Sequence, residues 1–214
     1  MSEQEFMEQE QTPVTPEVSQ EAKKPAGKQA IYKEIREILM VLVAFMLVYV
    51  LFFRVVVVVG DSMNQTLVDG DRLLLVSSVL YRNPKQGDIV VASKDSFRNG
   101  ECIIKRVIAT EGQTVKIYDN GVVTVDGEEI EELYIIGKTL HNEGGIQEGD
   151  AYYWVVPEGC LFVMGDNREN SLDSRNPQVG LIDEREILGK VIFLMIPGSD
   201  ETHVFEIGRI GVVG

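Results

Sequence analysis

Ser62 and Lys105 are the residues whose types and settings could do chemistry together. Ser62 lies in Gly60-Asp61-Ser62-Met63, a glycine-containing turn that follows a run of valines. A serine hydroxyl is a poor nucleophile until a base removes its proton. The usual base is histidine, but the chain has only His141, in a glycine-rich stretch, and His203, near the C-terminus. Neither sits in a motif, both read as surface residues, and a Ser-His-Asp triad is unattractive. A lysine can serve instead when burial strips its proton near neutral pH. Lys105 sits in Cys102-Ile103-Ile104-Lys105-Arg106-Val107-Ile108, an otherwise mostly apolar run. Strand alternation puts it on one face with Ile103 and Val107 and turns Arg106 to the other. Taken alone, such a lysine more often marks an edge or a surface; facing inward, it is costly unless neutral or paired.

A third stretch, Gly165-Asp166-Asn167-Arg168-Glu169-Asn170-Ser171-Leu172-Asp173-Ser174-Arg175, is strongly polar and directly follows an apolar strand. Ser171 could orient a lysine amine, and Asp173 and Arg175 could pair and brace the turn. Composition alone fits a solvated loop equally well.

The elements that must position these groups begin with an acidic tail. Residues 1–22 hold six glutamates and no basic residue. They cannot build a core, and residues 1–30 are expected to be disordered. Lys23, Lys24, Lys28, Lys33 and Arg36 then precede Ile38–Phe53, which is free of charge. As a helix that run spans about 24 Å, short of the roughly 30 Å hydrocarbon core. Starting at Ile31, with Lys33 and Arg36 snorkelling, closes the gap, so residues 31–54 read as a transmembrane anchor. Every face of the run is apolar, unlike a soluble amphipathic helix. The basic flank predicts a cytoplasmic N-terminal side and places residues 55–214 outside. No small-x-small cleavage site follows at the right distance, so the segment reads as uncleaved.

Val55–Val59 predicts a strand leaving the membrane. Strands are then expected over Asp71–Val76, Asp88–Ala92, Cys102–Ala109, Val115–Tyr118, Val122–Val125, Tyr152–Val156, Leu161–Met164 and Lys190–Ile196. Asp119-Asn120-Gly121 signals a hairpin. Residues 137–150 read as a surface loop and Glu184–Leu188 as a short helical turn. The fold class is mainly β, an all-β barrel or sandwich-like domain tethered by one N-terminal helix.

In their order, these stretches resemble the bacterial type I signal peptidases, membrane-anchored serine proteases with a Ser/Lys dyad. Gly60-Asp61-Ser62-Met63 with Thr66-Leu67 matches the nucleophile box, and Gly70-Asp71 the next. Gly87-Asp88-Ile89-Val90-Val91 and Lys105-Arg106-Val107-Ile108 match the box of the general base, and Gly165–Arg175 matches the GDN…SxDSR box. The resemblance implies Ser62 as nucleophile and Lys105 as general base. It implies Ser171 as the hydroxyl holding the lysine, Asp173 and Arg175 as a structural pair, and Met63 in an apolar rim by the membrane. The implied fold is the β fold of signal peptidases and self-cleaving regulators. The implied partners are signal peptides of secreted preproteins, the lipid bilayer of the plasma membrane and the nearby secretion translocon, with no metal or cofactor. Departures are Gln65 where the family usually has proline, Ala109-Thr110-Glu111-Gly112-Gln113 after the lysine strand, and Gly60 where some members place a serine. The last leaves the oxyanion mainly to the Ser62 backbone N–H.

The formal net charge of −14, with 26 acidic against 14 basic residues beyond Arg54, argues against a nucleic-acid partner. Cys102 and Cys160 have no metal spacing and read as small buried hydrophobes, with a disulfide open if this part lies outside the cytosol. A soluble self-cleaving regulator is disfavoured by the anchor and the charge. A silent peptide-binding domain is disfavoured by the joint presence of Ser62 and Lys105.

Overall fold

A computed structural model describes residues 26–94, 100–141, 144–199 and 206–213. The acidic segment up to residue 25 and His203 lie outside the described residues. Helix α1 runs over Ala26–Phe52. It starts earlier than the apolar run requires because Ala26, Lys28, Gln29 and Ala30 are good helix formers, so residues 26–30 are helical rather than part of a disordered tail. From Ile38 to Leu51 its side chains are exposed on every face, Leu42 at 54% and Val50 at 67%. Arg54 belongs to the next element, not to the helix. Strand β1 covers Phe53–Val57, where β-branched residues take over.

The remaining strands are β2 (Arg72–Ser77), β3 (Ile89–Ser93), β4 (Cys102–Ala109), β5 (Thr114–Tyr118), β6 (Val123–Val125) and β7 (Glu128–Glu129), followed by β8 (Ile146–Glu148), β9 (Ala151–Val155), β10 (Cys160–Met164), β11 (Ile182–Asp183), β12 (Ile187–Ile196) and β13 (Gly211–Val212). They form two antiparallel sheets. The larger has the order β1-β2-β12-β3-β4-β10-β11, with β13 also paired to β12, and the smaller has the order β7-β6-β5-β9-β8. The Asn120-Gly121 signal makes the β5–β6 hairpin, with Val115 opposite Val125 and Gly121 at φ 98°.

Three expectations are corrected. The stretch 137–150 is not all loop: Ile146 pairs with Tyr153, and Gly145 packs so closely on the Trp154 ring that a Cβ there would stand 2.7 Å from it. The helical turn is a 3-10 turn over Glu184–Glu186, capped by Asp183, and β12 begins at Ile187 because that apolar side chain turns into the core. The cysteines are not both buried: Cys102 is exposed, Cys160 half-buried, and both are free. Phe162 on β10 sits opposite Ala109 on β4. At about 3.3 Å per residue, Cys102 and Cys160 are therefore more than 20 Å apart along the ladder, out of bonding reach.

The core has three parts. One lies behind the Ser62 turn and contains Val58, Met63, Leu67, Leu73 and Leu75. A second holds Val90, Val107, Leu161 and Val163. A third joins the small sheet to β4 and β10 through Ile108, Val115, Ile117 and Phe162. Strand β4 touches all three, since Ile104 packs against the first. It is thus buried on both faces towards its C-terminal end, and Arg106 is buried as Lys105 is.

Candidate active site

Ser62 stands in the link between β1 and β2, and Lys105 near the middle of β4. In the large sheet, β4 is the fourth strand on from β1. A flat sheet would separate the two strands by about 19 Å at the usual spacing. Instead Lys105 Nζ donates to Ser62 Oγ at 2.6 Å, so the sheet curls and the β1–β2 link reaches across it. Lys105 is 4% exposed.

The link is shaped by backbone bonds. Val58 N–H donates to Asp71 O at 2.9 Å and Gly70 N–H to Val58 O at 3.0 Å, which closes the loop at its base. Gly60 takes φ 88°, a conformation that favours glycine, and its N–H donates to Asp69 Oδ1 at 2.7 Å. Asn64 N–H donates to Asp61 O and Leu67 N–H to Met63 O, making one tight turn around the serine. Met63 is 1% exposed and packs in the core behind that turn. The residue expected in an apolar rim by the membrane is thus buried beneath the serine turn, and it also lines the cleft.

The polar stretch 165–175 is not a solvated loop. Asp166, Arg168, Asp173, Ser174 and Arg175 are all buried. Arg175 Nε and Nη2 hold the two oxygens of Asp173 at 2.8 Å each, and Gly165 N–H donates to Asp173 Oδ2 at 3.0 Å. Burial pushes the Asp173 carboxyl up, but the guanidinium and the Gly165 N–H outweigh it and hold the group below its ordinary range. Arg175 also donates to Leu140 O and Arg168 O, tying this stretch to the one before β8. Arg168 in turn pairs with Glu132 and donates to Thr139 Oγ1 at 2.7 Å.

This braced stretch supports the serine turn directly. Asn167 N–H donates to Ser62 O at 3.0 Å, Asn167 Nδ2 to Asp61 O at 3.1 Å, and Asn170 Nδ2 to Asp61 Oδ2 at 2.6 Å. Gly165 lies so close that a Cβ would stand 2.4 Å from Ser62 O and 2.3 Å from Ser171 Oγ. Ser171 is therefore beside the turn and buried, with its hydroxyl near the Asp173 carboxylate, while the lysine amine donates to Ser62. Asp61 and Gly60 shape the turn that carries Ser62.

Sequence reasoning missed a second buried pair. Arg106 Nε and Nη2 hold Asp166 Oδ1 and Oδ2 at 2.9 and 2.7 Å, Nη1 donates to Gly87 O, and the guanidinium lies 3.9 Å from the centre of the Tyr134 ring. Thr66 Oγ1 donates to Asp166 Oδ2 at 2.5 Å, so this pair also grips the serine-bearing link. The available signal was a charge next to Lys105 in an apolar strand, with an aspartate in the later polar box. His141 is stacked on Tyr152 with ring centres 3.6 Å apart and makes no hydrogen bond to Ser62 among the described residues.

A cleft of about 490 Å³ opens over the pair, lined by Val57, Val59, Ser62, Ile104, Lys105 and Leu172 among others. A family model described as "Signal peptidase, peptidase S26" matches residues 31–196. The chain belongs to this family. Its relatives include signal peptidase I of Bacillus licheniformis, 34% identical over 183 residues, which cover 84% of this chain and 96% of that protein. A probable signal peptidase I-1 of Synechocystis is 37% identical over 147 residues, covering 65% and 69%. Among solved structures, a signal peptidase I from Enterococcus faecalis is 30% identical with a TM-score of 0.40, covering 51% of this chain and 97% of that one. The family match ends at the last residue of β12.

Proposed function

We propose that this chain is a membrane-anchored serine endopeptidase that removes N-terminal signal peptides from exported preproteins after small-x-small sites. The observation that carries this reading is the 2.6 Å contact between the buried Lys105 amine and the Ser62 hydroxyl in an open cleft. Burial of Lys105 disfavours the ammonium form, so in this reading the amine works neutral and accepts the hydroxyl proton along that contact. Ser62 Oγ attacks the scissile carbonyl, the tetrahedral oxyanion collapses, and the leaving amine takes the proton from Lys105. Water, deprotonated by the same amine, then hydrolyses the acyl-enzyme. The Ser62 N–H makes no hydrogen bond among the described residues and is available to the oxyanion. Ser171, whose hydroxyl lies beside the Ser62 turn, is the group that takes up the amine once the ester occupies Ser62 Oγ. Asp173 and Arg175 keep it there.

Strand β1 ends the large sheet, so its outer edge is open beside the cleft. The substrate segment lies extended along it as an added strand. Helix α1, 27 residues and about 40 Å long, exceeds the roughly 30 Å hydrocarbon core and is apolar all round from Ile38 to Phe52. It anchors the chain in the plasma membrane, near the secretion translocon, with Lys28, Lys33 and Arg36 on the cytoplasmic side and the β domain outside. The test is cleavage of a synthetic preprotein by the full chain in detergent, with Ser62→Ala and Lys105→Ala variants. Both variants are expected to be inactive, and full activity in either ends the proposal.

A further inference from the structure

The segment beyond β12 lies outside the family match, yet it touches the serine-bearing link at three points. Gly198 N–H donates to Asp71 Oδ1 at 2.7 Å. The fit there is so close that a Cβ on Gly198 would stand 2.1 Å from Asp69 O and 2.6 Å from Asp71 N. Arg209, in the 3-10 turn Ile207–Arg209, donates from Nη1 and Nη2 to Asp71 Oδ1 and Oδ2 at 3.0 and 2.7 Å. The same Nη2 donates to Thr66 O at 3.4 Å.

Asp71 is fully buried and also accepts from Val68 N–H at 2.8 Å, so its carboxylate ties both ends of the Thr66–Asp71 stretch together. A buried carboxylate holds such a geometry only while its charge is met. Arg209 meets it with a planar, two-pronged contact that a point charge cannot reproduce. Thr66 is then gripped from two sides, its hydroxyl by Asp166 and its carbonyl by Arg209. The Leu67 N–H to Met63 O bond carries that restraint to the residue after the serine.

We propose that Pro197–Ser199 and Glu206–Arg209 form a C-terminal brace that fixes the Ser62 turn, with Arg209 as its positioning residue. Arg209 touches no substrate. It acts by keeping Ser62 Oγ in line with Lys105, and the proposal rests on the reading of Ser62 as the nucleophile. Misalignment of the nucleophile lowers the rate of acylation while leaving the peptide-binding edge on β1 intact.

The experiment compares the full chain with Arg209→Gln, Arg209→Lys and Ser62→Ala variants, measuring kcat and KM on a synthetic preprotein at a temperature where each is folded. Arg209→Gln is expected to lose about 10- to 100-fold in kcat with KM held within about twofold, and Arg209→Lys to recover part of the loss. A folded Arg209→Gln variant with parental kcat, or one whose whole loss lies in KM, overturns the brace. If Arg209→Gln does not fold, Arg209→Lys decides: lower kcat at the same KM supports the brace, and parental kcat overturns it. An active Ser62→Ala variant brings down the nucleophile assignment instead, whatever Arg209 does.

Discussion

A single carbon added to Gly165 would stand 2.4 Å from the carbonyl oxygen of Ser62. The polar stretch and the Ser62 turn therefore meet backbone to backbone, with no room for a side chain between them. Gly165→Ala is expected to push the serine turn outward and to lower kcat/KM by about 100-fold. Overpacking should also lower stability by about 1–3 kcal/mol. Steady-state kinetics beside a denaturant melt checks both, and parental kinetics would show that the turn can give way freely.

The Arg106–Asp166 pair is buried, with side-chain exposures of 5% and 0%. Removing one partner leaves the other charged and dry, which costs about 3–5 kcal/mol. Asp166→Ala should show that loss in a urea titration. Asp166→Leu combined with Arg106→Met should restore much of it, because no unpaired charge remains. A double variant no more stable than Asp166→Ala would mean that the Thr66 and Gly87 contacts, not the charges, carry the effect.

Asp173 gives a pH dependence whose sign follows from its depressed pKa. The unfolded chain binds a proton at this site near pH 3.9, before the folded chain does. Its contribution is fully present above that value and is lost as pH falls through the lower, folded pKa. Unfolding free energies measured from pH 7 down to pH 2 should fall in the acid range, and Asp173→Asn should flatten that part of the curve. An unchanged slope in the variant would assign acid sensitivity to other carboxylates.

The two cysteines should behave differently towards a thiol reagent. Cys102 is exposed beside the cleft. Burial and the nearby Asp183 carboxylate raise the pKa of Cys160, which lowers its thiolate fraction. Thiol titration of the folded protein without reductant should find two free thiols, with Cys102 reacting first. Recovery of a disulfide-linked peptide pair by mass spectrometry would contradict the strand register.

Much of this was legible beforehand because it rests on local chemistry. The bounds of β4 and the Asn-Gly hairpin followed from alternation and turn residues. The short strands β7, β8, β11 and β13 were not, since a strand of two or three residues carries no periodicity and exists only through its neighbour. The burial of Arg106 was not legible for a related reason. Alternation assumes that one face of a strand meets water, and β4 is covered on both. The resemblance to a family supplied the pairing of Ser62 with Lys105, which no spacing rule contains. The role of Arg209 could not be read at all, because nothing in the chemistry of an isolated arginine points to an aspartate so far back in the chain.

In the large sheet, β12 stands between β2 and β3. The half that carries the serine and the half that carries the lysine are thus stitched together by a strand that follows both of them in the chain. A chain still emerging from the ribosome carries Ser62 and Lys105 before it carries β12, so on the proposed reading the two are not held together until that strand has been made. A version ended at Glu186 should accordingly leave a synthetic preprotein uncut.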